Sequence, residues 1–143
     1  MIFNHILVPY DGSEPAGRAL DKAIQLARRD TGTRITVAHV INLLPVAIGD
    51  MTFAQPESYQ EEVRKQGEQI IENVKQQVGE LPGSDVVILA GSPASAILDY
   101  AESSACDLII IGSRGLGAFR ELMVGSVSHN VILHSPIPVM VMK

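Results

Sequence analysis

The chain is poor in the residues that staple or anchor a protein. A single cysteine, Cys106, excludes an internal disulfide and suits a reducing compartment. Apolar runs are short: Leu108–Ile111 stops at Gly112, far below the ~20 residues that a membrane span needs. Positive charge is scarce, with 11 Lys and Arg against 16 Asp and Glu, a net charge of −5 and a pI near 5.3. That excludes broad binding to nucleic acid or anionic membranes, which need a basic surface, and leaves room only for a local basic spot. The opening Met1-Ile2-Phe3-Asn4-His5 has no basic n-region and no A-x-A cleavage site, which predicts no secretory signal and a cytoplasmic protein. What is present is ordinary globular material. The 143 residues are 46% hydrophobic and 19% charged, with mean hydropathy +0.20. This excludes a wholly disordered chain and predicts one domain over residues 1–143, large enough to fold without staples.

Apolar runs and helical patterns alternate. His5-Ile6-Leu7-Val8-Pro9 is a β-type run closed by Asp11-Gly12-Ser13. Ser13-Glu14-Pro15 supplies a cap, an acid and a first-turn proline for a helix. Its apolar stripe is Ala16, Ala19, Leu20, Ala23, Ile24 and Ala27, and Arg28 and Arg29 suit its C-terminus. Arg34–Ile41 reads as a second strand, residues 42–55 as irregular, and Glu57 to about Val78 as the longest helix. That helix has an apolar stripe of Val63, Ile70, Ile71, Val74 and Val78, and Glu61, Glu62, Glu68 and Glu72 on a solvated face. Asp85–Ala90 is a third strand, and Ser92-Pro93 caps a third helix. Asp107–Ile111 is a fourth strand, apolar enough to be buried on both faces. Val127–His134 is a fourth helix and Ile137–Met142 a fifth strand. Strands separated by helices predict an α/β fold: a single domain with a parallel sheet, right-handed crossovers and helices on both faces.

The chemistry-bearing stretch is Gly112-Ser113-Arg114-Gly115, followed after nine residues by Gly125-Ser126. It starts at the carboxyl end of the most apolar strand and ends where a helix opens. Glycines let backbone approach a phosphate closely, and a helix N-terminus offers free N–H groups with a positive dipole end. The hydroxyls of Ser126 and Ser128 are candidate donors, and Arg114 and Arg120 bring positive charge. Neither the G-x-G-x-x-G fingerprint nor a Gly-Lys-Ser/Thr loop is present. Pro9-Tyr10-Asp11 ends the first strand. If the first and fourth strands are neighbours, Asp11 shares a crevice with Gly112, where its carboxylate suits ribose hydroxyls better than phosphate. An Asx-turn before the helix is its other reading.

These residues together resemble the universal stress protein family, and in particular its ATP-binding branch. The resemblance runs along the whole chain, from Ile6–Ser13 through His39-Val40, Gly91-Ser92-Pro93, Asp107–Gly115 and Gly125–Ser128 to Pro138–Val141. It implies sheet order 3-2-1-4-5, a Rossmann-like domain of the adenine nucleotide alpha hydrolase type, and a homodimer. It places Pro9, Tyr10 and Asp11 on the nucleoside and the Val40 backbone on the adenine edge. Gly112, Ser113, Arg114, Gly115, Gly125, Ser126, Val127 and Ser128 would hold ribose and phosphates. ATP is the implied ligand, with Mg²⁺ or Mn²⁺ carried by the phosphates.

The function expected is a nucleotide-binding stress-response switch with little or no hydrolysis. No general base is evident near a γ-phosphate, and phosphoryl transfer needs a placed water. A slow ATPase and a dimeric interaction module with an empty site are the alternatives. The last strand, Val139, Met140, Val141 and Met142, is apolar on both faces and is the expected self-pairing edge. His39 reads as a structural histidine. His129 and His134 have the wrong spacing for a metal, and Cys106 has no activating neighbour. Met51 and Phe53 read as hydrophobic anchors of a long loop, with capping of the site or docking of a partner as their other reading.

Overall fold

In a computed structural model, residues 2–114 and 124–143 are described. The elements run β1 (His5–Pro9), α1 (Glu14–Arg29), β2 (Arg34–Ile41), β3 (Val46–Ile48), β4 (Met51–Phe53), α2 (Glu57–Gly79), β5 (Asp85–Ala90), α3 (Pro93–Ser103), β6 (Leu108–Gly112), α4 (Ser126–His134) and β7 (Val139–Met142). Five strands form one sheet in the order β5-β2-β1-β6-β7, every pair parallel. This is the expected 3-2-1-4-5 arrangement of the five long strands. The order reverses between β1 and β6, so the chain leaves adjacent strands in opposite directions and opens a crevice at their carboxyl ends.

Side chains alternate across the sheet and define two cores. On one face Ile6, Val8, Ile35, Val37, Leu108 and Ile110 pack under α1 and α2. On the other, Leu7, Ile109 and Ile111 meet Ile97 and Ala101 of α3 and Val131 of α4. All five residues of β1 and all five of β6 are buried. The central strands are thus covered on both sides, as their unbroken apolar sequences require.

The start of α1 matches its sequence signals. Ser13 is the N-cap, its hydroxyl accepting from Ala16 N at 3.3 Å, with Pro15 in the first turn and Arg28 and Arg29 in the last. The buried stripe is the expected alanine-rich one. These small residues let the helix lie close to the sheet, and Gly112 completes the fit. A Cβ on Gly112 would stand 2.8 Å from both Ala16 N and Pro15 C. Ser92 occupies the N-cap position of α3, but its hydroxyl makes no capping bond; its carbonyl accepts from Ala96 N at 2.8 Å.

Three expectations need correction. Residues 42–55 are not irregular throughout: β3 and β4 form an antiparallel hairpin pairing Val46 with Phe53 and Ile48 with Met51. Gly49, at φ +62°, and Asp50 form its two-residue turn. Met51 and Phe53 are not buried as anchors would be: they lie on this hairpin, 62% and 47% exposed. The last strand is two residues shorter than expected, because Ile137 is held by the Ser135 hydroxyl before pairing with β6 begins at Val139.

Candidate functional site

The crevice at the β1–β6 reversal is a cavity of about 650 Å³, within the usual range for small-molecule sites. Its walls come from four directions. The end of β1 supplies Pro9, Tyr10 and Asp11, and the end of β2 supplies His39, Val40 and Ile41. Gly112, Arg114 and the opening of α4 face them, and α2 contributes Val63, Gln66, Gly67 and Ile70.

Strand pairing continues past β1, with Tyr10 N donating to Ala38 O at 2.8 Å. The chain then turns. Ser13 N donates to Asp11 Oδ1 at 2.9 Å, an Asx-turn that fixes the carboxylate beside the helix cap. The Ser13 hydroxyl also lies 3.4 Å from Arg114 O, tying this turn to the strand across the crevice. The Tyr10 phenol is pushed above its ordinary value by burial and by the charges of Asp11 and Asp21, so it stays neutral at physiological pH.

The phosphate-facing side is built on α4. Gly125 is its N-cap, in extended conformation. The N–H groups of Ser126, Val127 and Ser128 open the helix and have no acceptor within it. With Arg114 beside them they make a wall suited to an anion. Two hydroxyls are committed elsewhere or turned away. Ser128 is buried and its Oγ donates to Gly112 O at 2.6 Å, clamping α4 onto β6. Ser113 is buried and does not line the cavity. Its N–H donates to Met142 O at 2.7 Å and its carbonyl accepts from Gly125 N at 2.7 Å. Ser113 therefore couples the end of β7 to the start of α4. Gly115 and Arg120 lie outside the described residues.

Pro9, Tyr10, Asp11, Val40, Gly112, Arg114, Gly125, Ser126, Val127 and Ser128 thus meet in one cavity. The wall from α2 was not foreseen. Its signal was Gly67, a glycine on the apolar side of a long helix. A Cβ there would come within 3.1 Å of His39 Cδ2 and Ile41 Cγ2. His39 is half-buried and its Nδ1 lies 2.8 Å from Tyr10 O, in keeping with a structural histidine.

The model described as "Universal stress protein family" matches residues 2–143. The chain belongs to the universal stress protein family. It is similar to the Universal stress protein YxiE of Bacillus subtilis, 36% identical over 99% of this chain and 100% of that one. Among solved structures, protein MJ0577 superposes with a TM-score of 0.80 at 27% identity, covering 100% of this chain and 97% of that one. The universal stress protein of Archaeoglobus fulgidus in complex with dAMP superposes with a TM-score of 0.71 at 24% identity, over 100% of both chains. Structural neighbours in the family thus bind adenine nucleotides. No helix among the described residues is long and apolar enough to cross a membrane.

Proposed function

We propose that this universal stress protein binds an adenine nucleotide, ATP, in the β1–β6 crevice and works as a switch whose output is the bound state. The observation that carries the reading is the pairing of two unlike walls in one cavity. The end of β2 at Val40 and the α2 side chains Val63 and Ile70 form an apolar slot of the kind a base fills. The open N–H groups of α4 and the Arg114 cation stand where negative charge is favoured. Asp11 lines the same cavity, and its carboxylate is suited to ribose hydroxyls. Gly115, outside the described residues, is assigned to the phosphates by its sequence spacing alone.

Holding rather than turnover fits the described lining. Its one carboxylate, Asp11, already accepts from Ser13 N. The described residues contain no group of three or more metal-ligating side chains. A divalent cation, Mg²⁺ or Mn²⁺, would therefore be held by the phosphates. The strand β7 lies at an open edge of the sheet with its four residues half-buried, which supports self-pairing into a homodimer.

The test is Gly125→Asp with ATP titrated calorimetrically. Gly125 has φ −62° and ψ 159°, which any residue adopts. Aspartate is also a good N-cap, so stability should stay within about 0.5 kcal/mol. Its carboxylate would meet the phosphates, and the affinity for ATP should fall at least ~10-fold. Unchanged affinity would refute the placement of the phosphates.

A further inference from the structure

The cavity contains one imidazole whose hydrogen bonding is half spent. His39 Nδ1 lies 2.8 Å from the carbonyl oxygen of Tyr10. A carbonyl only accepts, so Nδ1 carries the proton and donates. On the same two residues of backbone, Tyr10 N donates to Ala38 O at 2.8 Å. Tyr10 is thus gripped on both its backbone polar groups by consecutive residues of β2, one through backbone and one through the His39 ring. Directly after it come Asp11, whose carboxylate takes Ser13 N at 2.9 Å, and Gly12 at φ +85°. The other edge of the ring rests on α2. A Cβ added at Gly67 would stand 3.1 Å from Cδ2 and 3.4 Å from Nε2. The ring is therefore wedged between the β1 turn and a helix that has no side chain at the point of contact.

We infer that His39 is a positioning residue of the site: it sets the Tyr10–Asp11 turn so that the Asp11 carboxylate faces the ribose of a bound nucleotide. The inference rests on the reading of the cavity given above. Beyond the strand end the chain is held by the Asx-turn and the Ser13 cap, but at Tyr10 itself the backbone is fixed from β2 by two bonds, and Tyr10 N supplies only one of them. The Nδ1–H bond to Tyr10 O is the other, and the contact with Gly67 fixes the ring that makes it. Losing the ring leaves the Tyr10 carbonyl without its partner and shifts the Tyr10 peptide that leads into the Asp11 turn, which moves the carboxylate together with its Asx-turn. Recognition of the ribose would then be lost, while the apolar slot and the α4 wall remain.

The experiment compares ATP with 2′,3′-dideoxy-ATP, which lacks both ribose hydroxyls, on the full chain and on His39→Leu, His39→Asn and Gly67→Ala. The wild type is expected to prefer ATP by roughly 10-fold or more, the worth of hydrogen bonds to a charged acceptor. His39→Leu should bring that ratio close to one. His39→Asn, whose amide can donate in place of Nδ1–H, should restore most of it. Gly67→Ala keeps the fold testable should His39→Leu fail to fold. Alanine favours the helix, but its Cβ crowds the ring, and the ratio should fall.

A His39→Leu protein that binds both nucleotides more weakly but keeps the ratio would overturn the inference, because the imidazole would then be structural only. An unchanged ratio in Gly67→Ala, with no preference lost in either His39 variant, would do the same. A wild type with equal affinity for the two nucleotides also removes it, since Asp11 would not touch the ribose. A wild type that binds neither refutes the nucleotide reading itself, which is a distinct outcome.

Discussion

Gly112→Ala is the sharpest probe of how the fold makes the crevice. The methyl group would be placed 2.8 Å from Ala16 N and Pro15 C and 2.9 Å from Pro15 Cβ. Two of these atoms are backbone and the third belongs to a proline ring, so none can turn aside. The first turn of α1 would have to lift, and it is tethered by the Ser13 cap and packed through Ala16 and Ala19, both nearly inaccessible. Overpacking of a tight core costs about 1–3 kcal/mol. In a domain of this size that corresponds to a fall in Tm of roughly 4–12 °C. Gly17→Ala is the matched control. It lies in the same helix with nothing within 4 Å of its added Cβ, and should gain about 0.5–1 kcal/mol from helix propensity. Calorimetry or urea unfolding of both variants reads the difference directly. A Gly112→Ala protein within about 1 °C of wild type would show that α1 does not press on β6 as described. The reasoning would also fail if both variants moved together.

Other consequences follow from the opposite end of the sheet. His5 is buried, with Nδ1 donating to Ser104 O at 3.1 Å and Nε2 taking the Thr36 hydroxyl at 2.8 Å. Burial, the largest influence, holds its pKa below 6.5. The stability this neutral ring brings is complete above pH 6.5. It should be lost as the pH falls through the folded-state value, seen as a drop in urea midpoint that His5→Gln abolishes. Burial alone would raise the Asp107 carboxyl, but hydrogen bonds from Asn4 N, His5 N and the Asn4 amide outweigh it and hold the pKa low. Its contribution is present above the unfolded carboxylate value and disappears only in stronger acid, so the two steps separate along the pH axis. The Cys106 thiol, raised to about 11 chiefly by burial, should resist alkylation at pH 8 in native protein and react on unfolding. For the proposed homodimer, sedimentation at micromolar concentration should give a dimer mass; a monomer throughout a dilution series would refute pairing through β7.

Much of this architecture was legible from periodicity. The five long strands, the four helices and the stripe of α1 follow from apolar spacing, because the burial that creates each element also sets its period. The switch-point crevice was legible through the glycines that flank it. The finer roles were not. Gly112 looks like a phosphate-loop glycine in sequence, yet its hydrogen is needed against Pro15 and Ala16, residues about a hundred positions away. Ser113 and Ser128 look like phosphate donors, but Ser113 ties β7 to α4 through its backbone and Ser128 spends its hydroxyl on Gly112 O. The β3–β4 hairpin carries a Gly-Asp turn that signals it, but three-residue strands beside Pro45 are too short to show alternation. The contribution of α2 depended on where a long helix crosses β2, which only tertiary packing decides.

The central claim is that the crevice holds an adenine nucleotide. The most direct measurement is to denature freshly purified protein and identify any released nucleotide by mass spectrometry, adding ATP to protein that emerges empty. The account predicts adenine nucleotide near one per chain. For empty protein it predicts a melting rise of roughly 10 °C at ATP ~100 times the dissociation constant, equivalent to about 2.7 kcal/mol. Protein that releases no nucleotide and whose melting does not move at millimolar ATP would contradict it.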